Sequence, residues 1–221
     1  MIIGYLKGKT TQKKVGIEAW SSGLAFGMGT KLSDAITVGE WVDISGMLDE
    51  LRLVKSSEEQ TYMRHAARAA DAGAQAAIDS VHDGALESEV AAECLAAMTR
   101  AGSTPPGFGP FLRPLARLAE EYTSWGTGTH KGAVFLEVAG CVARYNAPMG
   151  RLINIGKISD EDAAMAEISK RAFDSTLKAL TPGAKAKEVY AGWQSVVDDA
   201  GMTQYRRHHC GYLVGIGFPP S

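Results

Sequence analysis

Nineteen residues of this chain occur twice in recognisably the same form. Residues 84–102, GALESEVAAECLAAMTRAG, lie over residues 183–201, GAKAKEVYAGWQSVVDDAG, at an offset of 99 positions. Gly84/Gly183, Ala85/Ala184, Glu89/Glu188, Val90/Val189, Ala92/Ala191, Ala101/Ala200 and Gly102/Gly201 are identical, and Ile78 and Val81 fall over Leu177 and Leu180. A duplicated amphipathic unit cannot bury its apolar face alone. Two αα-β halves related by a pseudo-two-fold axis would bring their sheets together and leave a cleft between them. The alternative is a chance likeness of two Ala-rich helices.

The local pattern agrees with a double succession of helix, helix and strands. Ser57 and Gln60 offer a capping box for a long helix reaching about residue 81, and a second helix over 87–101 stops at Gly102. A third opens at SDED, with Met165, Ile168, Ala172, Thr176 and Leu180 on one face, and TPG at 181–183 ends it. A fourth runs through KEVYAGWQSVVDDAG. AVFLEVAGCVARY and HHCGYLVGIGF are strand-like in their β-branched and aromatic content. Residues 1–50 differ, with short strand-like pieces broken by Gly, Ser and Thr that suit part of a small α/β domain, so 51–221 is expected to form the larger unit.

Charge and cysteine usage narrow the partners. A formal charge of −2 and a pI near 6.2 supply no basic field for nucleic acid or an anionic membrane surface. Cys94, Cys141 and Cys210 stand far apart without a CxxC pair, which suits thiols in a reducing compartment. No apolar run approaches the roughly 18 residues of a membrane span, and the first residues lack secretory features, so a cytoplasmic location is expected. GTGTHKG falls short of a P-loop, which leaves His130 as a loop residue.

Three stretches carry a family resemblance: LRLVKSSEEQTYMRHAA, GAVFLEVAGCVARYNAPMGR and HHCGYLVGIGFPP. They resemble the entry helix, central hairpin and following strand of the pita-bread fold of creatinase, prolidase, aminopeptidase P and methionine aminopeptidase, most of all ectoine hydrolases and the creatinase branch. The resemblance implies an α+β pita-bread fold, incomplete at its C-terminal end and preceded by the remnant of a creatinase-type N-terminal domain. It also implies a homodimer.

Peptidases of this family hold two divalent metals with two Asp, one His and two Glu. Laid on that pattern, the first Asp falls on Glu137 and the second, eleven positions on, falls on Pro148, which has no donor atom. The ligand His falls on Tyr212, a poor ligand at neutral pH. Both Glu ligands belong to positions after Ser221. The resemblance therefore implies a metal-free hydrolase of C–N bonds in a small zwitterionic cyclic amidine or amide, with no cofactor. A metal-dependent Xaa-Pro peptidase and a non-catalytic truncated family member are the alternatives.

In the metal-free reading Glu137, a charge inside the apolar run VFLEVAG, is nucleophile or general base, unless it lies on a solvated strand face. His208 is the proton carrier, since imidazole titrates near neutrality. The pair His208 and His209 beside Arg207 also suits a patch that binds carboxylate through the guanidinium. Tyr212 is a substrate contact or a half-buried strand residue, and Tyr122, where the family has a substrate-contacting His, is a hydrogen-bond donor with Glu121 a minor partner for an amidinium. The 208–221 stretch is expected to be the stump of a catalytic-site strand.

Overall fold

Ser56 starts the longest helix. Its hydroxyl accepts from the Glu59 amide at 3.2 Å while the Glu59 carboxylate accepts from the Ser56 amide at 2.7 Å. The box sits one residue before the pair expected from sequence, because the ionised Glu59 side chain is a stronger acceptor than the Gln60 amide. The computed structural model describes residues 2–21, 23–118 and 124–217. Its elements are α1 (Ile2–Leu6), β1 (Lys14–Ile17), α2 (Phe26–Ala35), β2 (Glu40–Asp43), α3 (Met47–Leu51), α4 (Ser57–Ser80), α5 (Glu87–Arg100) and β3 (Phe111–Pro114). After these come α6 (Leu115–Leu118), β4 (Ala133–Val142), β5 (Tyr145–Asn154), α7 (Asp160–Ala179) and α8 (Ala186–Asp199).

Two separate sheets form. β1 and β2 pair in parallel, Lys14 opposite Glu40, beside α2. The second sheet is antiparallel in the order β3-β4-β5, its hairpin closing through Ala143 and Arg144, whose φ of +50° and +70° give the left-handed turn that a two-residue loop requires.

Alternation along β4 divides its side chains between two environments. Leu136 and Val138 join Leu112 of β3 against Ala70, Ala74 and Ala77 of α4 and Val90, Cys94 and Met98 of α5. Small residues on α4 let helix and strand approach closely: a Cβ on Gly140 would overlap the Ala66 carbonyl, and one on Gly73 would overlap Met98. Phe135 and Glu137 point to the opposite face, with Leu152 and Gly150 opposite them on β5.

The duplicated helices form as expected. Ser159 caps α7 by accepting from the Asp162 amide at 3.0 Å, and α7 packs on α8 where Ser175 Oγ donates to the Gly192 carbonyl at 2.6 Å. The second strand region does not form a strand over 208–217. β propensity needs a ladder partner to become a strand. Between 208–217 and the sheet, the backbone bond found among the described residues is Asn146 N–H to the Gly215 carbonyl, 2.9 Å.

Candidate functional site

The open face of the sheet carries a cleft of about 720 Å³, lined by Phe135 and Glu137 of β4, Pro148 of β5, Arg64 of α4, Phe173 of α7 and Tyr212. Strand alternation places Glu137 there, and antiparallel register brings Pro148, opposite Ala139, onto the same face. Glu137 is half-buried, has no ion-pair or hydrogen-bond partner among the described residues, and its carboxyl is held above the ordinary value of 4.5 by burial. A carboxylate so placed is a stronger base than one in water.

Of the residues singled out in the sequence, the cleft brings together Glu137 and Tyr212. His208 and His209 are exposed and stand outside the lining, with their rings edge to face at 4.2 Å and His209 in turn 5.8 Å from the Tyr212 ring. Arg207 contributes its carbonyl, which accepts from the Tyr190 hydroxyl at 2.6 Å. Glu121 and Tyr122 lie outside the described residues. His130 is a loop residue but a fully buried one.

Sequence reasoning does not single out a buried ionic node at the start of α5. Glu87, in the first turn of α5, accepts from Arg113 Nη1 at 2.7 Å, from Arg117 Nη1 at 3.2 Å and from the Gly126 amide at 2.6 Å. Glu87 and Arg113 are wholly buried. Gly126 must be glycine, since a Cβ there would overlap the Arg113 guanidinium. One signal was available: at offset 99 Glu87 lies over Ala186, so the charge departs from its own repeat.

The profile of metallopeptidase family M24 matches residues 61–221. The chain belongs to that family. Among relatives of this M24 chain, the Xaa-Pro dipeptidase of Pyrococcus horikoshii is 25% identical over 209 residues, 92% of this chain and 58% of that protein. The ectoine hydrolase of Halomonas elongata is 23% identical over 192 residues, 82% and 48% of the two chains, and the creatinase of a Bacillus species 22% over 225 residues, 95% and 53%. The prolidase of Pyrococcus furiosus superposes with a TM-score of 0.86 at 26% identity, covering 97% of this chain and 62% of that one. The M24 chain thus has the pita-bread fold and spans little more than half the length of the curated relatives it matches. None of its helices, among the described residues, is long and apolar enough to cross a membrane.

Among the described residues the donors do not make up a metal pair of the kind the resemblance implies. Pro148 turns carbon into the cleft beside Glu137, and the described residues contain no group of three His, Cys, Asp or Glu side chains able to hold an ion. Glu137 is the one carboxylate within the described lining.

Proposed function

We propose that this M24 chain serves metal-independent hydrolysis of a C–N bond in a small zwitterionic cyclic amidine or amide of the ectoine type. The observation that carries the reading is Glu137: one carboxylate, half-buried, raised in pKa by burial and facing a cleft beside Pro148 rather than beside a second acid. A single carboxylate suits proton abstraction or nucleophilic attack better than it suits holding two cations.

In this reading Glu137 takes a proton from water as the water oxygen bonds to the amidine or amide carbon. The tetrahedral adduct collapses with cleavage of its C–N bond, and the departing nitrogen takes up a proton. His208 is the residue proposed for that donation; it stands exposed outside the described lining, its ring against His209 and that of His209 against Tyr212, and would have to turn into the cleft to act. Tyr212 and Phe173 flank the cleft, Tyr212 offering a phenol to the substrate. The ectoine hydrolase and creatinase relatives support the substrate class, and a cytoplasmic homodimer is the setting proposed.

The Xaa-Pro dipeptidase relatives, matched over more of the chain than the ectoine hydrolase, favour a second reading in which metal is required. Metal analysis and turnover of ectoine and of an Xaa-Pro dipeptide, each with and without EDTA, separate the two. Ectoine hydrolysis indifferent to EDTA is expected. Dipeptide hydrolysis abolished by EDTA and restored by manganese or cobalt would replace the first reading with the second.

A further inference from the structure

Three carbonyl oxygens converge on one side chain at the start of β5. Asn146 is buried, and its Nδ2 donates to the carbonyls of Arg144 at 3.0 Å, Gly215 at 3.3 Å and Ile216 at 3.3 Å. Its backbone N–H donates to the same Gly215 oxygen at 2.9 Å. Flipping the amide would point Oδ1 at three other oxygens, so its orientation is dictated by charge. Oδ1 itself has no partner among the described residues.

Two of the carbonyls it holds, those of Gly215 and Ile216, belong to a segment without regular structure, and the third closes the hairpin at Arg144. Residues 206–217 form no helix or strand, and yet Gly211, Tyr212 and Val214 make up one wall of the cleft that contains Glu137. An irregular segment keeps one position only where something specific holds it. Here that is a side chain at the foot of the hairpin, one strand away from Glu137: Asn146 lies opposite Cys141 in the register that places Gly150 opposite Glu137.

We infer that Asn146 is a positioning residue, clamping the 213–217 backbone to β5 and thereby fixing Tyr212 across the cleft from Glu137. The inference rests on the cleft being the substrate site, and its geometry is independent of which substrate binds. Asparagine is suited to the task because it donates twice from one atom without carrying charge. Aspartate has nearly the same shape and presents only acceptors to the same oxygens.

Hydrogen exchange read by mass spectrometry tests the clamp. In Asn146→Asp at neutral pH, amides of residues 211–217 are expected to exchange about tenfold faster or more, while those of α4 and β4 keep their rates. Acidification enough to protonate the introduced carboxyl returns an O–H donor, so protection, corrected for intrinsic rate, is expected to recover in Asn146→Asp and not in Asn146→Ser, which is too short to reach. Unchanged exchange over 211–217 in both variants, or loosening without acid recovery, would overturn the inference. If Asn146→Asp does not fold, Asn146→Ser decides by the same local measurement. Ectoine binding by calorimetry is read in parallel. Selective loosening in the variants of a chain whose wild type does not bind ectoine upholds the clamp and removes the substrate reading; loosening with ectoine binding weaker than wild type upholds both.

Discussion

Glu137 and His130 are both withdrawn from water, with opposite consequences for stability. Burial holds Glu137 above 4.5, so the native chain binds that proton more tightly than the unfolded chain does. Below 4.5 both states are protonated and there is no penalty. As pH rises past that value the unfolded chain ionises first and the fold loses stability, until the native carboxyl ionises too and the loss becomes constant. Glu137→Gln is therefore expected to melt higher than wild type at neutral pH and equally in acid, a gain kept small by partial exposure. Calorimetric scans across pH check this, and a lower melting temperature at neutral pH would contradict it. His130 is fully buried, neither ring nitrogen has a hydrogen-bond partner among the described residues, and burial lowers its pKa below 6.5; the Glu87 charge opposes that shift and Arg113 adds to it. Its neutral form stabilises the fold fully above 6.5, and the contribution fades as pH falls and the unfolded chain takes up the proton. His130→Gln should flatten the decline in melting temperature between pH 7 and about 5. A decline as steep as wild type would show that other groups govern that limb.

The elements were legible where a local signal suffices. Ser159 ahead of an acidic turn, Gly102 and Gly201 after Ala-rich helices, and the alternation of VFLEV each point to one conformation through neighbours a few residues away. The capping box shows the limit of that resolution, since Ser56/Glu59 and Ser57/Gln60 differ only in acceptor strength. What could not be read is decided by residues far off in sequence. Glu87 resembles any helix-face acid until Arg113, 26 residues on, arrives beside it. Arg64 and Phe173 give no sign of a shared cleft, because they come from α4 and α7. HHCGYLVGIGF has the composition of a strand, and whether it becomes one depends on a ladder partner elsewhere. The Glu87 node also yields a stability prediction. Glu87→Gln removes a charge facing a wholly buried guanidinium and weakens the tie from α5 to residues 126–128, which is expected to cost about 1–3 kcal/mol. Denaturant titration measures it, and a loss below about 1 kcal/mol would mean that the node's remaining contacts compensate.

For the whole molecule, the repeat provides an internal control. In the first half, Ala74 of α4 lies in the core shared by α4, α5 and the β3-β4-β5 sheet, and Val81 packs against it. At offset 99 their counterparts are Phe173 and Leu180, larger residues left 61% and 63% exposed, with Leu177 between them at 52%. One copy of the same helical pair thus has a sheet against its apolar face, and the other has none there among the described residues of a chain that spans 62% of the prolidase it superposes on. Helices do not retain a stripe of Phe and Leu on a solvated surface without a penalty in solubility, and contiguous exposure of this kind marks a surface that associates. We expect the 221-residue chain to self-associate, a homodimer being the smallest assembly that covers the face. Light scattering over a concentration series should show mass rising above the 23.5 kDa of one chain. Leu177→Glu with Leu180→Glu, both outside the described cleft lining, should return the mass towards one chain without altering the helical circular dichroism. A wild-type chain monomeric across the series would refute the expectation. Association unaffected by the double variant would move the contact to another exposed apolar group, such as Trp20 and Phe26.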